Sequence, residues 1–395
     1  MTDKRRAWAV MAVVFIASVA VAVNRFKVPP VLPVLMDELQ VDMVTGGWLM
    51  SVFTVTGIVL AIPAAFLLNR IGLKLTGLVA LGSAITGTVL GATASGASAM
   101  LAGRLIEGIS MSLITILAPT AISQWFPSRE RGLPMGIWAA WVPVGNVIMF
   151  NAAHPLLNAF GWRGVWWFGV LLASAAFVLV AFVLSSPPDP RSERNSVTAQ
   201  PGDVGRGVLN PLAWLLALTF GAFAFSMLAF NTWVPKFLND SLHIELAAAN
   251  AYASLMFVAA IPASITAGWI INRLKDRYRL LPVACLVTTI LFFWSFRLGS
   301  VGIVVPYLLV LGFVSNFIPT AFFTLSPETT PRLEYASLAL AIVMVGSKVG
   351  ATTGPPATGA ILSSSSWSVA SFCLAMVMAV GTFVSWYVAR GLRAQ

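Results

Sequence analysis

The sequence predicts an all-α polytopic membrane protein, with twelve transmembrane helices in two pseudo-symmetric six-helix bundles. Three observations predict it. Hydrophobic residues make up 58% of the chain and charged residues 10%, against about 25% charged in soluble domains, so most of the surface is expected to face lipid. Twelve largely apolar runs are long enough to cross a hydrocarbon core of about 30 Å. A short motif occurs once in each half, as Asn69-Arg70-Ile-Gly72-Leu-Lys74 and as Asn272-Arg273-Leu-Lys275, and its Asn-Arg pairs lie 203 positions apart in 395 residues. Duplication of this kind marks membrane machines whose two repeats work around a site between them.

The first run, residues 7 to 36, follows Lys4-Arg5-Arg6 and lacks a clear small-residue cleavage site, so it reads as a retained helix rather than a signal peptide. The second, 44 to 68, ends in the first motif copy, and the third, 75 to 95, starts beyond Gly72 and Lys74. The fourth, 98 to 124, carries Arg104, Glu107 and Gly108; the fifth and sixth cover 133 to 157 and 163 to 185. Residues 186 to 207 have the Pro, Gly and charge content of a linker without a core. They divide an N-terminal bundle, 1 to 185, from a C-terminal one, 208 to 395. The remaining runs cover 209 to 238, 247 to 271, 279 to 297, 301 to 326, 334 to 362 and 367 to 389, the eighth ending in the second motif copy.

The net charge of +10 does not point to nucleic acid, because the cations sort by side of the membrane. Lys4 to Arg6, Arg70 and Lys74, Arg129 and Arg131, Arg273 to Arg279, and Arg390 and Arg393 fall in alternate connections, while the first of the others carries Asp37, Glu38 and Asp42. The positive-inside rule then puts both termini in the cytoplasm of a cell inner (plasma) membrane. Cys285 and Cys373 sit in apolar runs and imply no disulfide. With two histidines, and no phosphate-binding loop, metal-ligand cluster or nucleophile triad, the chain reads as a non-enzyme without cofactor or metal, expected to act as a monomer.

Ionisable residues at membrane depth are costly and are functional candidates by default. Arg25 and Lys27 interrupt the first run; Arg25 lies roughly 27 Å along it, just outside the midplane. A guanidinium fork can hold a carboxylate through two parallel hydrogen bonds. Continued as a helix, positions 25 and 27 lie about 200° apart, so one of them at most faces a cavity. Arg25 is the preferred one, the alternative being that either snorkels to the outer headgroups. Lys348 lies near the midplane of the eleventh run and takes its counter-ion from the substrate or from a structural partner. Arg104 and Glu107, three apart, share a helix face and can pair. Glu107 is also the side chain expected to couple transport to protons. If that pair is neutral, the remaining charge at membrane depth is positive and selects an anion. Asn146, Asn151, His154, Asn231 and Asn316 are polar candidates for completing the pocket.

Four local signatures carry a family resemblance. They are the duplicated Asn-Arg motif, Arg104-Leu-Ile-Glu107-Gly108, Trp125-Phe126-Pro127-Ser-Arg129-Glu130-Arg131-Gly132, and Phe160-Gly161-Trp162-Arg163. Over essentially its whole length the chain resembles the major facilitator superfamily. The resemblance implies a secondary active transporter working by alternating access, in which Asn69, Arg70, Gly72, Lys74, Arg104, Gly108, Asn272 and Arg273 belong to gating and structural motifs. Both motif copies carry Asn where the family usually has Asp, and position 65 is Ala rather than Gly.

Asn24-Arg25-Phe-Lys27-Val-Pro-Pro-Val-Leu-Pro33 resembles the first-helix pattern of the organic-anion and anion:cation symporters of that superfamily, with Asn24 replacing the usual Asp. That likeness implies a small organic anion, such as a monocarboxylate or sugar acid, moved with a proton. An exporter of drugs or amphipaths and a permease for small inorganic or pseudohalide anions are the alternatives. Trp141-Val-Pro143-Val-Gly145-Asn146 does not match the fifth-helix motif of the drug/proton antiporters.

Overall fold

A computed structural model of the chain describes residues 2–60, 63–127, 130–185, 211–274, 276–329 and 336–394. The described secondary structure is helical, and the chain divides into two units, Met1–Ser192 and Glu193–Gln395. The expected linker, 186 to 207, lies outside the described residues.

The first unit contains α1 (Thr2–Arg25), a 3-10 turn (Pro29–Val31), α2 (Leu32–Leu39), α3 (Met43–Val59), α4 (Pro63–Ala92), α5 (Ala97–Trp125), α6 (Gly132–Ala139) and α7 (Trp141–Val183). The second contains α8 (Pro211–Leu242), α9 (Leu246–Arg273), α10 (Leu280–Phe293), α11 (Val301–Ser315), α12 (Phe317–Leu325), α13 (Ala336–Ser364) and α14 (Trp367–Ala394). Each of the twelve predicted spans coincides with helix. α1 with α2 forms the first, α3 with the start of α4 the second, α6 with the first part of α7 the fifth, and α11 with α12 the tenth.

Among the described residues, eight stretches are long and apolar enough to cross a membrane. The longest, Gly132–Val183, has 52 residues, about 78 Å as continuous helix and more than twice a bilayer core. It makes two passes because the chain reverses at Gly161, where φ is +66°; Gly72 divides α4 in the same way with φ +77°. Such angles cost a side chain with a Cβ and are free to glycine. The spans break where the motifs place glycine.

The distribution of side chains is that of a protein dissolved in lipid. Phe182 is 86% and Phe160 72% exposed, while Lys27, Arg104 and Glu107 are each 0% exposed. In the first unit α1 packs on α7 and α4 on α5; in the second α8 packs on α13 and α14, and α10 on α14. The α8–α13 interface is a ladder of backbone contacts. A Cβ at Gly346, Gly350 or Gly354 would overlap the carbonyl oxygens of Ala217, Gly221 and Phe225 in turn. Without a hydrophobic drive between helices in lipid, this close approach supplies the dispersion contacts that hold them.

At the outset of α3 the Asp42 carboxylate accepts a hydrogen bond of 2.8 Å from the Thr45 amide, capping the helix. The hydroxyl and amide of Thr45 hold this carboxyl below its ordinary range. A depressed folded-state value means that the stabilisation is present above the unfolded value of about 3.9 and is lost as the pH falls below it.

Two outcomes are expected. Gly350→Leu should cost about 1–3 kcal/mol by forcing α8 and α13 apart, read as a lowered thermal midpoint of the detergent-solubilised protein. Asp42→Ala should cost at most about 1 kcal/mol, because the carboxylate is exposed. That difference from wild type should be present at pH 7 and shrink progressively as the pH falls below about 3.9, which thermal melts over a descending pH series would check.

Candidate functional site

The site begins with a helix that cannot continue. The amide of residue 29 would bond the carbonyl of Arg25 if α1 ran on, but residues 29 and 30 are both proline and lack that donor. The helix therefore ends at Arg25, Lys27 falls in the turn that follows, and the chain resumes through Pro29–Val31 into α2. The expectation that positions 25 and 27 lie on opposite sides of one helix does not apply, because the helix stops before Lys27.

An exposed backbone carbonyl at membrane depth costs several kcal/mol. Arg104 of α5 satisfies two at this break, its Nη1 donating to the Asn24 carbonyl at 2.7 Å and its Nη2 to the Arg25 carbonyl at 2.8 Å. Its Nε donates to the Leu49 carbonyl of α3 at 3.0 Å. A cation there also complements the negative end of the helix dipole.

Around this arginine lies a buried charge cluster. Nη1 of Arg104 donates to Glu107 Oε2 at 2.5 Å, and Lys27 Nζ donates to Glu107 Oε1 at 2.7 Å. Lys27 Nζ also donates to Asn24 Oδ1 and to Thr88 Oγ1, each at 3.1 Å, and lies 5.0 Å from the centroid of the Trp166 ring. Two cations and one carboxylate leave the cluster a formal charge of +1. Helix α1 with its turn, α4, α5 and α7 all contribute.

Two features of the backbone make room for the cluster. A Cβ at Gly169 of α7 would overlap Asn24 Oδ1, and one at Gly87 of α4 would come within 2.7 Å of Glu107 Cγ. Asn24 fits where a carboxylate would not, because its Nδ2 donates to the Ala20 carbonyl at 3.0 Å and the Gly169 carbonyl at 3.1 Å. The carboxylate that this part of α1 lacks is supplied by Glu107.

The Arg104–Glu107 contact follows from their spacing of three on one helix. The partnership of Lys27 with Glu107, 80 positions away, carries no such local signal. A lysine just past a helix end with two prolines close behind was the available hint. Lys27 does not reach headgroups and is a member of the interior.

Arg25 stands apart from the cluster. It is half-buried, its Nε has no hydrogen-bond partner among the described residues, and its guanidinium carbon lies 4.9 Å from the Phe26 ring centroid. Asn146 of α7 is 0% exposed, with Oδ1 and Nδ2 both lacking hydrogen-bond partners among the described residues. In the second unit, Asn231 of α8 is buried with its Oδ1 likewise unpartnered, and Lys348 is half-buried on α13. Asn316 is committed to structure, donating to the Ala260 carbonyl at 2.8 Å and to Ser264 Oγ, so it ties the α11–α12 junction to α9.

The motif copies sit at the helix ends. Gly72 forms the first turn, with Arg70 and Lys74 exposed beside it, and Gly108 lets α5 approach the Phe53 carbonyl and Thr56 of α3. Arg273 is exposed, its guanidinium carbon 4.1 Å from the Trp269 ring centroid. The side chains of Asn69 and Asn272 lie outside the described residues. Asp276 pairs with Arg279 at 2.9 Å and with Arg393 of α14 at 2.8 Å.

Comparison with known proteins places this architecture. A solved bacterial homologue of the human lysosomal transporter Spinster, in an inward-facing, unoccupied conformation, superposes with a TM-score of 0.81 at 15% identity, covering 98% of each chain. Among curated proteins, the hexuronate transporter of Bacillus subtilis (strain 168) is 21% identical over 308 residues, 75% of this chain and 72% of that one. A putative glycerol-3-phosphate transporter 1 of Arabidopsis thaliana is 26% identical over 291 residues, 62% of this chain and 55% of that one. The chain spans about half the length of many of the curated relatives it matches. The family description "Major Facilitator Superfamily" matches residues 14–337, and this multi-pass membrane chain belongs to that family.

Proposed function

We propose that the chain is a secondary transporter that moves a small organic anion by alternating access, with Arg25 as the group that binds the anion. One observation carries this reading. Three cations lie at or beside the break in α1, and Glu107 pairs with two of them, Lys27 and Arg104, whereas the Arg25 Nε is buried without a hydrogen-bond partner among the described residues. A half-buried guanidinium in an apolar setting is stabilised by a ligand that brings the missing negative charge, and a carboxylate or phosphate fits its fork. The printed names of the relatives point the same way: hexuronate and glycerol 3-phosphate are small anions.

Asn146 is the neutral group of the first unit proposed to orient the anion and Asn231 a candidate polar group within the second, since buried unpartnered amides are costly unless a ligand or water completes them. Lys348 is proposed as the candidate anion-binding cation of the second unit. A proton carried with the anion belongs to the same reading; both Glu107 oxygens are engaged by Lys27 and Arg104, which commits that carboxylate to the cluster. Both termini are proposed to lie in the cytoplasm of a plasma membrane, as the charge distribution favours.

A ligand that binds only the folded state raises its stability by about 2.7 kcal/mol at one hundred times its dissociation constant. D-Glucuronate, sn-glycerol 3-phosphate or succinate should therefore raise the thermal midpoint of the purified protein, and Arg25→Ala should remove that shift while keeping the unliganded midpoint. Stabilisation by amphipathic cations alone, or a full anion shift in the variant, would overturn the reading. In proteoliposomes, anion uptake should accelerate when the lumen is made alkaline; equal rates with and without a protonophore would remove the proton from it.

A further inference from the structure

We propose that Lys27 and Glu107 are positioning residues for Arg25, fixing the backbone from which its guanidinium reaches the anion. The inference rests on the reading of Arg25 as the anion ligand and assigns a role to groups that do not themselves touch the substrate. The geometry is that of a clamp around a single residue. On one side of Arg25, the Asn24 side chain accepts from Lys27 Nζ at 3.1 Å and its backbone carbonyl accepts from Arg104 at 2.7 Å. On the other side, Lys27 is anchored to Glu107 at 2.7 Å and to Thr88 at 3.1 Å. The carbonyl of Arg25 itself is held by Arg104 at 2.8 Å. Glu107 is the hub, because its two oxygens orient Lys27 and Arg104 separately.

The clamp lies where the backbone would otherwise be loosest. The α1 ladder ends at Arg25 and the following turn has proline at positions 29 and 30, so intrahelical bonds do not fix the carbonyl of Arg25. Without the clamp, the end of α1 would be free to shift relative to α5. Displacements of about 1 Å can cost up to 100-fold at a positioned group. With it, motion is confined to the side chain of Arg25.

Net charge separates positioning from a plain electrostatic role. The wild-type cluster is formally +1. Lys27→Met makes it neutral, Glu107→Gln makes it +2, and the double substitution returns it to +1 through Arg104 alone. If the cluster acted only through its field, Glu107→Gln would bind an anion more tightly than wild type, Lys27→Met less tightly, and the double variant equally well. A clamp predicts that all three bind more weakly. The double variant keeps Arg104 with its three carbonyl partners and the net charge at +1 but removes the Arg104 counter-ion, so its unliganded thermal midpoint is read beside its binding; if it fails to fold, Glu107→Gln alone separates the two roles, because they predict changes of opposite sign for it.

The experiment is a double-mutant cycle read by equilibrium binding of radiolabelled D-glucuronate, sn-glycerol 3-phosphate and succinate to the full-length protein in nanodiscs. The double substitution is introduced into wild type and into Arg25→Lys, which keeps the charge but loses the fork. The expected result is a loss of about 10- to 100-fold in affinity on the wild-type background and at most about twofold on Arg25→Lys, because the clamp acts through the geometry of Arg25. Equal losses on the two backgrounds would mean general destabilisation and overturn the proposal. A double variant that binds like wild type would overturn it as well. A wild type that binds none of the three probes would instead overturn the anion reading on which the proposal rests.

Discussion

A carboxylate shared by two cations in the interior of a lipid-dissolved bundle is the interaction on which the first unit depends. Paired prolines end α1 within the span and orphan its last carbonyls, and no water is at hand to satisfy them. Arg104 supplies the donors, yet an arginine buried at 0% exposure needs a counter-charge, which Glu107 provides. Glu107 in turn holds Lys27, and Lys27 secures Asn24. Each member is tolerable only because of the next. Breaking a buried pair by removing one partner is usually far more costly than replacing both. Six segments of the unit are thereby tied to one charged centre: α1, the turn after it, α3, α4, α5 and α7.

The two halves share a motif and solve their packing differently. Among the described residues, every fully buried charged side chain belongs to the first unit. The second unit is held by the glycine ladder of α13 against α8, and by hydroxyl and amide bonds such as that of Asn316 to α9. Its charges gather at one end, where Asp276 joins Arg279 and Arg393. Duplication preserved the outline, while the chemistry placed at membrane depth diverged. In the proposed reading that divergence assigns anion binding at the break in α1 to the first unit.

Much of the fold was legible because lipid imposes simple rules. Long apolar runs need only local information, and helices lie where those runs put the spans. The contact between Arg104 and Glu107 was legible for the same reason, being set by helical spacing. The Lys27–Glu107 pair was not, because it depends on how α1 and α5 lie in space. Helical angles could not relate positions 25 and 27, because the prolines at 29 and 30 end the helix two residues before Lys27.

The central claim is that the cluster is a fixed structural charge and that Arg25 beside it is the cation left for the ligand. A cryo-EM structure of the protein in nanodiscs, saturated with the anion that stabilises it best, tests this most directly. Density for the carboxylate or phosphate is expected within hydrogen-bond distance of the Arg25 guanidinium, with Glu107 still bridging Lys27 and Arg104. An anion bound to Lys27 or Arg104 in place of Glu107, or bound with Arg25 turned away to lipid, would contradict it.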